Sequence, residues 1–130
     1  MPRVWRFFTL EEMQCRCCGK CEMDYEFMAM LDDLRQECGF PFPINSGYRC
    51  SKHNNSVSHT GFDGPHTFGK AADIRVYGTR ALELIEAVMH PEIKLGGIGL
   101  KQHGSHESRF IHIDTLGIEY HGPRPWIWTY

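Results

Sequence analysis

Five residues near the end of the chain, Phe110-Ile111-His112-Ile113-Asp114, restrict the fold most sharply. Side chains on a strand alternate between its two faces. Ile111 and Ile113 therefore face a core, while His112 and Asp114 point together to the other side. Two ionisable side chains directed together from a half-buried strand need a shared partner. The expectation is a sheet with one apolar face and a second face on which polar ligands gather.

The rest of the chain supplies the layers for such a sheet. Thr9 followed by Glu12 is a capping-box pattern for a short helix. From Asp24 the apolar residues Phe27, Met28, Leu31 and Leu34 recur at helical spacing, and Gly39 supplies a stop. Pro41 and Pro43 break the chain before Ile44 to Cys50, a short strand or strand-turn. Residues 51 to 70, punctuated by Gly61, Gly64, Pro65 and Gly69, are expected to form one long loop. Ala72 to Tyr77 alternates as a strand, and a helix capped at Thr79 follows, with Leu82, Ile85, Ala87 and Met89 on its apolar side. Ile93–Leu100 and Phe110–Thr115 complete two further strands. Helices first, then strands interrupted by one helix, predict a single α+β domain over residues 1–130, with a mainly antiparallel sheet flanked by helices.

A second polar segment supplies the partner for the first. In His66-Thr67-Phe68-Gly69-Lys70-Ala71-Ala72-Asp73 a histidine and an aspartate are joined by a turn containing Gly69. Imidazole and carboxylate are both good zinc ligands. His66, Asp73 and His112 make three, and three protein ligands with an open position is the pattern of catalytic zinc sites. The open position would take a water whose pKa the metal lowers towards about 7. Among the other histidines, His59 competes most strongly for a ligand role, but no Gly-x-Ala-x-Asp tail follows it.

His66-x-x-Gly69-x-Ala71-x-Asp73 followed by Phe110-Ile111-His112-Ile113-Asp114 resembles the zinc D-Ala-D-Ala carboxypeptidase and murein endopeptidase family, and more closely its phage cell-wall peptidase branch. Ser46-Gly47-Tyr48-Arg49-Cys50 with His53-Asn54, Gly96-Gly97-Ile98-Gly99 and Gly122-Pro123-Arg124-Pro125-Trp126 are similar to motifs of that branch and stand in its order. The resemblance covers residues 8 to 126. It implies a hedgehog-like or DD-peptidase-like fold with zinc at the sheet face, bound by His66, Asp73 and His112. It also implies that Arg49 lies near the substrate carbonyl, where it would hydrogen-bond a developing oxyanion. The substrate class implied is a peptidoglycan stem peptide or cross-link, cut in carboxypeptidase or endopeptidase fashion.

Two departures qualify the resemblance. Gly64 stands where many relatives have serine, and Arg109 stands where others place a catalytic carboxylate. Arginine cannot accept a proton. Asp114 is then the favoured general base, because it shares the face of His112, with Glu107 as the alternative. Arg109 also keeps open a non-catalytic zinc-containing module that binds cell wall or protein, as the hedgehog signalling domain shares the zinc architecture.

Bulk properties exclude other classes. The formal charge of -2 offers no broad basic field, which argues against a nucleic-acid partner. No apolar run approaches the roughly 20 residues that span a bilayer. The first eight residues lack the core of a signal peptide. The expectation is cytoplasmic synthesis, followed by action on the wall after holin-type release or as a virion component, with other phage proteins as partners. Cysteines crowd into residues 15–21, where Cys15-x-x-Cys18-x-x-Cys21 has the spacing of a zinc knuckle. Cys17, Cys38 or Cys50 is available as a fourth ligand. Disulfides and plain reduced thiols are the competing readings of this cluster.

Overall fold

The computed structural model describes residues 5–121 and 123–130. Met1 to Val4, part of the segment judged against a signal peptide, and Gly122 of the Gly122–Trp126 motif lie outside the described residues.

Local chemistry starts and stops the first two helices as the sequence predicts. Helix α1 (Leu10–Met13) carries the Thr9–Glu12 capping box, with the Glu12 amide donating to Thr9 Oγ1 and the Thr9 amide to Glu12 Oε1. Helix α2 (Tyr25–Cys38) begins at Asp24, whose carboxylate accepts from the Phe27 amide at 3.0 Å. It ends at Gly39, which takes the left-handed conformation at φ 74°. Strand β1 (Ile44–Ser46) follows the two prolines.

The long loop expected over residues 51–70 is instead partly helical. Helix α3 (Ser51–Val57) is capped by the Cys50 sulfur, and a 3-10 turn spans Pro65–Phe68. Polar composition disguised α3: of its seven residues only Asn54 is buried, so it has no apolar stripe to read. Strand β2 (Ala71–Ile74) then places Asp73 inside the strand, which ends at Ile74 and not at Tyr77. Helix α4 (Gly78–Val88) has its N-cap at Tyr77, not at Thr79, which lies inside its first turn, and it buries Ala81, Leu84, Ala87 and Val88. Leu82 and Met89, expected on its apolar side, are exposed.

Strand β3 (Gly97–Lys101) is shorter than expected, since Ile93 to Gly96 is not strand. Strand β4 (Phe110–Asp114) matches its pattern. After a short helix α5 (Ile118–His121), strand β5 (Trp126–Thr129) closes the edge. The order is β1-β2-β4-β3-β5, antiparallel throughout except for the β3–β5 pair.

The α+β expectation therefore holds. One sheet face, carrying Ala72, Ile74, Ile98, Ile111 and Ile113, packs with Phe27, Met28, Leu31 and Leu34 of α2 and with Leu84 and Val88 of α4 in one core. Each fully buried Leu, Ile or Phe there contributes on the order of 1.5–3 kcal/mol. The opposite face is left for chemistry. Among the described residues, no helix is long and apolar enough to cross a membrane.

Candidate metal centre

Register lines up the polar face. Asp73 lies opposite His112, His112 opposite Gly99, and Gly99 opposite Trp128, so one row crosses four strands. Gly99 is what lets the row close. A Cβ there would sit 2.5 Å from the Trp128 Nε1, whereas glycine lets the indole lie across β3 with its ring 5.0 Å from that of His112. His66 reaches the same place from the 3-10 turn. That turn can fold back because Gly69 adopts φ 69° and its missing Cβ would strike the Glu22 carbonyl at 2.1 Å.

The three expected ligands meet. Asp73 Oδ1 lies 3.3 Å from His66 Nε2 and 3.0 Å from His112 Nδ1. All three side chains are buried. Ligands held about 2.0–2.1 Å from a tetrahedral zinc stand about 3.3 Å apart, so the spacing suits that ion. The tautomers suit it as well. His66 Nδ1–H donates to the Gly47 carbonyl at 2.7 Å, which leaves Nε2 facing Asp73. His112 Nε2–H donates to Asp114 Oδ2 at 2.8 Å, which leaves Nδ1 facing Asp73. Each imidazole thus has its outer nitrogen anchored and its inner nitrogen turned to the common centre, the usual support of a metal-binding histidine.

Without metal the same geometry distributes protons unevenly. Burial would lower His112, but hydrogen bonds to Asp114 and Asp73 outweigh it and raise the group to about 9. Burial would raise Asp73, but His66 and His112 hold its carboxyl well below the usual range. His66 goes down, with burial as the main cause. In the metal-free site His112 is therefore the cation, bridging two carboxylates.

Arg49 meets Asp73 from the other side. Its Nη2 donates to Asp73 Oδ2 at 3.2 Å, while Nε bonds Ser46 Oγ at 2.9 Å and Nη1 bonds the buried Asn54 at 3.2 Å. The metal-facing oxygen, Oδ1, is left to the histidines. Asn54 also donates to Thr60 and to the Gly61 carbonyl, tying α3 to the loop that precedes His66.

Asp114 occupies a different position from the one its shared strand face suggested. It is fully buried behind His112, with its oxygens also taken by Arg124 Nη1 at 3.1 Å and the Leu116 amide at 3.2 Å. Gly97 makes room for this pair, since a Cβ there would lie 2.1 Å from Arg124 Nη1. Glu107 is exposed on a 3-10 turn and does not line the cavity, and Arg109 Nε turns to the Gly104 carbonyl. Arg124 was not singled out as a site residue from the sequence, and for Trp128, as for Trp126 and Tyr130, the sequence left open a substrate groove or packing on the core; Trp128 and Tyr130 line the cavity. The only signals were a proline-flanked arginine and an alternating aromatic tail.

A cavity of about 820 Å³ opens over the three ligands. Arg49 and Arg124 give it positive charge, Phe110, Trp128 and Tyr130 an apolar wall, and His59 an imidazole. Its size fits a short peptide.

Comparison with known proteins places this arrangement. No curated protein matches the chain. The Peptidase M15 family model matches residues 6–114, which takes in α1 through β4 and all three candidate ligands. Matched over most of its length, with a histidine–aspartate–histidine centre at the floor of its cavity, the chain belongs to the peptidase M15 family of zinc metallopeptidases.

Proposed function

We propose that the chain hydrolyses an amide bond in bacterial peptidoglycan, in a stem peptide or cross-link, as a D-Ala-D-Ala carboxypeptidase or endopeptidase. The observation that carries this reading is the convergence of His66 Nε2, Asp73 Oδ1 and His112 Nδ1 within 4.8 Å beneath a peptide-sized cavity. These residues would hold zinc, which supplies Lewis-acid activation of a carbonyl and of water. Phage origin, release through a holin and assembly with virion proteins extend the resemblance to the phage branch and rest on it alone.

The protein's own groups divide the remaining work. Arg49 has five N–H donors, three of which hold Asp73, Ser46 and Asn54. Arg49 lines the cavity, so the other two are available to meet the substrate carbonyl oxygen as it gains charge. Asp114 orients His112 and, with Arg124, balances its charge. It is a positioning residue, since its oxygens are consumed and it lies behind the ring. His59 is the wall side chain suited to accept a proton, imidazole being the commonest acid–base group in enzymes. Trp128, Tyr130 and Phe110 bind the apolar part of the peptide.

One observation favours a second reading. Among the described residues, Asp73 is the only carboxylate that lines the cavity. A site without a base carboxylate suits a non-catalytic module that binds cell wall or protein. The test is purified peptidoglycan incubated with wild type and with His112→Ala, with products read by liquid chromatography and mass spectrometry. Hydrolysis requires new muropeptides or D-alanine from the wild type alone, and the product masses identify the bond. Zinc bound with no product from several wall types gives the site to the binding module.

A further inference from the structure

The cysteine cluster assembles differently from its sequence spacing. The sulfurs of Cys15, Cys18 and Cys50 lie within 4.8 Å of one another, although Cys50 is 35 residues from Cys15. Cys21, expected as the third member, instead packs against the hydrophobic core, and its replacement comes from the turn before α3. Cys17 sits at the rim, with its thiol bonded to the Cys50 sulfur.

The backbone around these sulfurs is arranged for negative charge. Gly19 takes φ 76°, its N–H donates to the Cys15 carbonyl at 2.9 Å, and the Cys15 N–H donates to the Lys20 carbonyl at 2.7 Å. This turn brings Cys15 and Cys18 to one side. The Cys50 amide then donates to Cys15 Sγ at 3.3 Å, and the amides of Cys17 and Cys18 aim at the same sulfur. The Lys20 amide points at the Cys18 sulfur, and the His53 amide reaches Cys50 Sγ at 3.4 Å. Five amides directed at three clustered sulfurs supply the donors that metal-bound thiolates accept, a thiol sulfur itself being only a weak acceptor. None of the described cysteines is in a disulfide. Clustered thiolates repel unless a cation sits between them.

We propose that Cys15, Cys18 and Cys50, with Cys17 closing the fourth position, hold a structural zinc ion separate from the His66–Asp73–His112 centre. Thiolate ligands select a soft or borderline metal. Zinc–sulfur bonds of about 2.3 Å put tetrahedral sulfurs about 3.8 Å apart, within the span seen here. A fully sulfur-ligated ion leaves no position for substrate, so the site clamps the fold. It ties the loop after α1 to the segment Gly47–Cys50. That segment gives His66 its anchoring carbonyl, carries Arg49, and docks on Met13 through the Tyr48 amide at 2.8 Å.

The test counts metal on protein purified under reducing conditions, and it does not depend on peptidase activity. Elemental mass spectrometry is expected to find two zinc ions in wild type, one in His112→Ala, one in Cys15→Ser and Cys50→Ser, and two in Cys21→Ser and Cys38→Ser. Cobalt loaded into wild type needs no variant to fold, and it should show a sulfur-to-cobalt charge-transfer band in the near ultraviolet. Cys17→Ser should release zinc to a chelator faster than wild type. The proposal is overturned by a wild type without that band, by zinc lost wholly with His112→Ala, or by an intact mass showing a disulfide within the cluster. An unchanged release rate in Cys17→Ser removes Cys17 from the ligand set.

Discussion

Replacing Asp114 by asparagine separates a positioning role from a base. The side chain keeps its shape, and its amide oxygen can still accept from Leu116. The negative charge, however, is lost from a fully buried site where it faces His112 at 2.8 Å and Arg124 at 3.1 Å. Removing one partner of a buried ion pair costs about 3–5 kcal/mol, because the other charge is left uncompensated. For a domain of this size that corresponds to a fall in melting temperature of roughly 10 °C or more. The same change frees the outer nitrogen of His112, so zinc affinity should drop by about 10- to 100-fold. Thermal melts by circular dichroism and competition with a chromophoric chelator read the two effects. Activity at saturating zinc should largely recover wherever the variant is still folded. If Asp114→Asn instead melts and binds zinc like wild type but is inactive at every zinc concentration, the residue handles a proton and the positioning assignment is wrong.

Other outcomes follow from the same geometry. Gly99→Ala puts a Cβ into the Trp128 ring and should cost about 1–3 kcal/mol as an overpacking change; a shift in tryptophan emission, with zinc content retained, would mark the displaced indole. Arg49→Lys cannot reproduce the three-way fork to Asp73, Ser46 and Asn54, and kcat/KM should fall on the order of 100-fold with stoichiometric zinc still bound. In metal-free protein, His112 is raised to about 9 from an ordinary 6.5. Its contribution to stability should be full below about pH 6.5 and vanish as pH rises through 9, which melts in the presence of a chelator would show. Zinc must displace that proton, so calorimetry at pH 7 in buffers of different ionisation enthalpy should detect its release.

What the chain alone determined lies in its short-range patterns. The Thr9–Glu12 box, the Asp24 cap and the Gly39 stop act within a few residues, and the alternation of β4 separates Ile111 and Ile113 from His112 and Asp114. Those patterns are local hydrogen bonding and side-chain periodicity, so a linear reading captures them. The convergence of the three candidate ligands was legible for the same reason, with His66 and Asp73 joined by a glycine turn and His112 on an alternating strand. Tertiary packing decided the rest. Helix α3 has no apolar stripe; Cys50 ties its start to Cys15, 35 residues away, and Asn54 ties it to Arg49 and to the turn at Thr60 and Gly61. Sharing a face with His112 could not say that Asp114 would be sealed behind the ring by Arg124, because that pairing exists only once the tail returns past β3. Likewise, spacing favoured Cys21 over Cys50, and only the docking of Gly47–Cys50 against Met13 reversed the choice. Sequence separation says nothing about distance once strands pair, and pairing here is decided by which face each strand must bury.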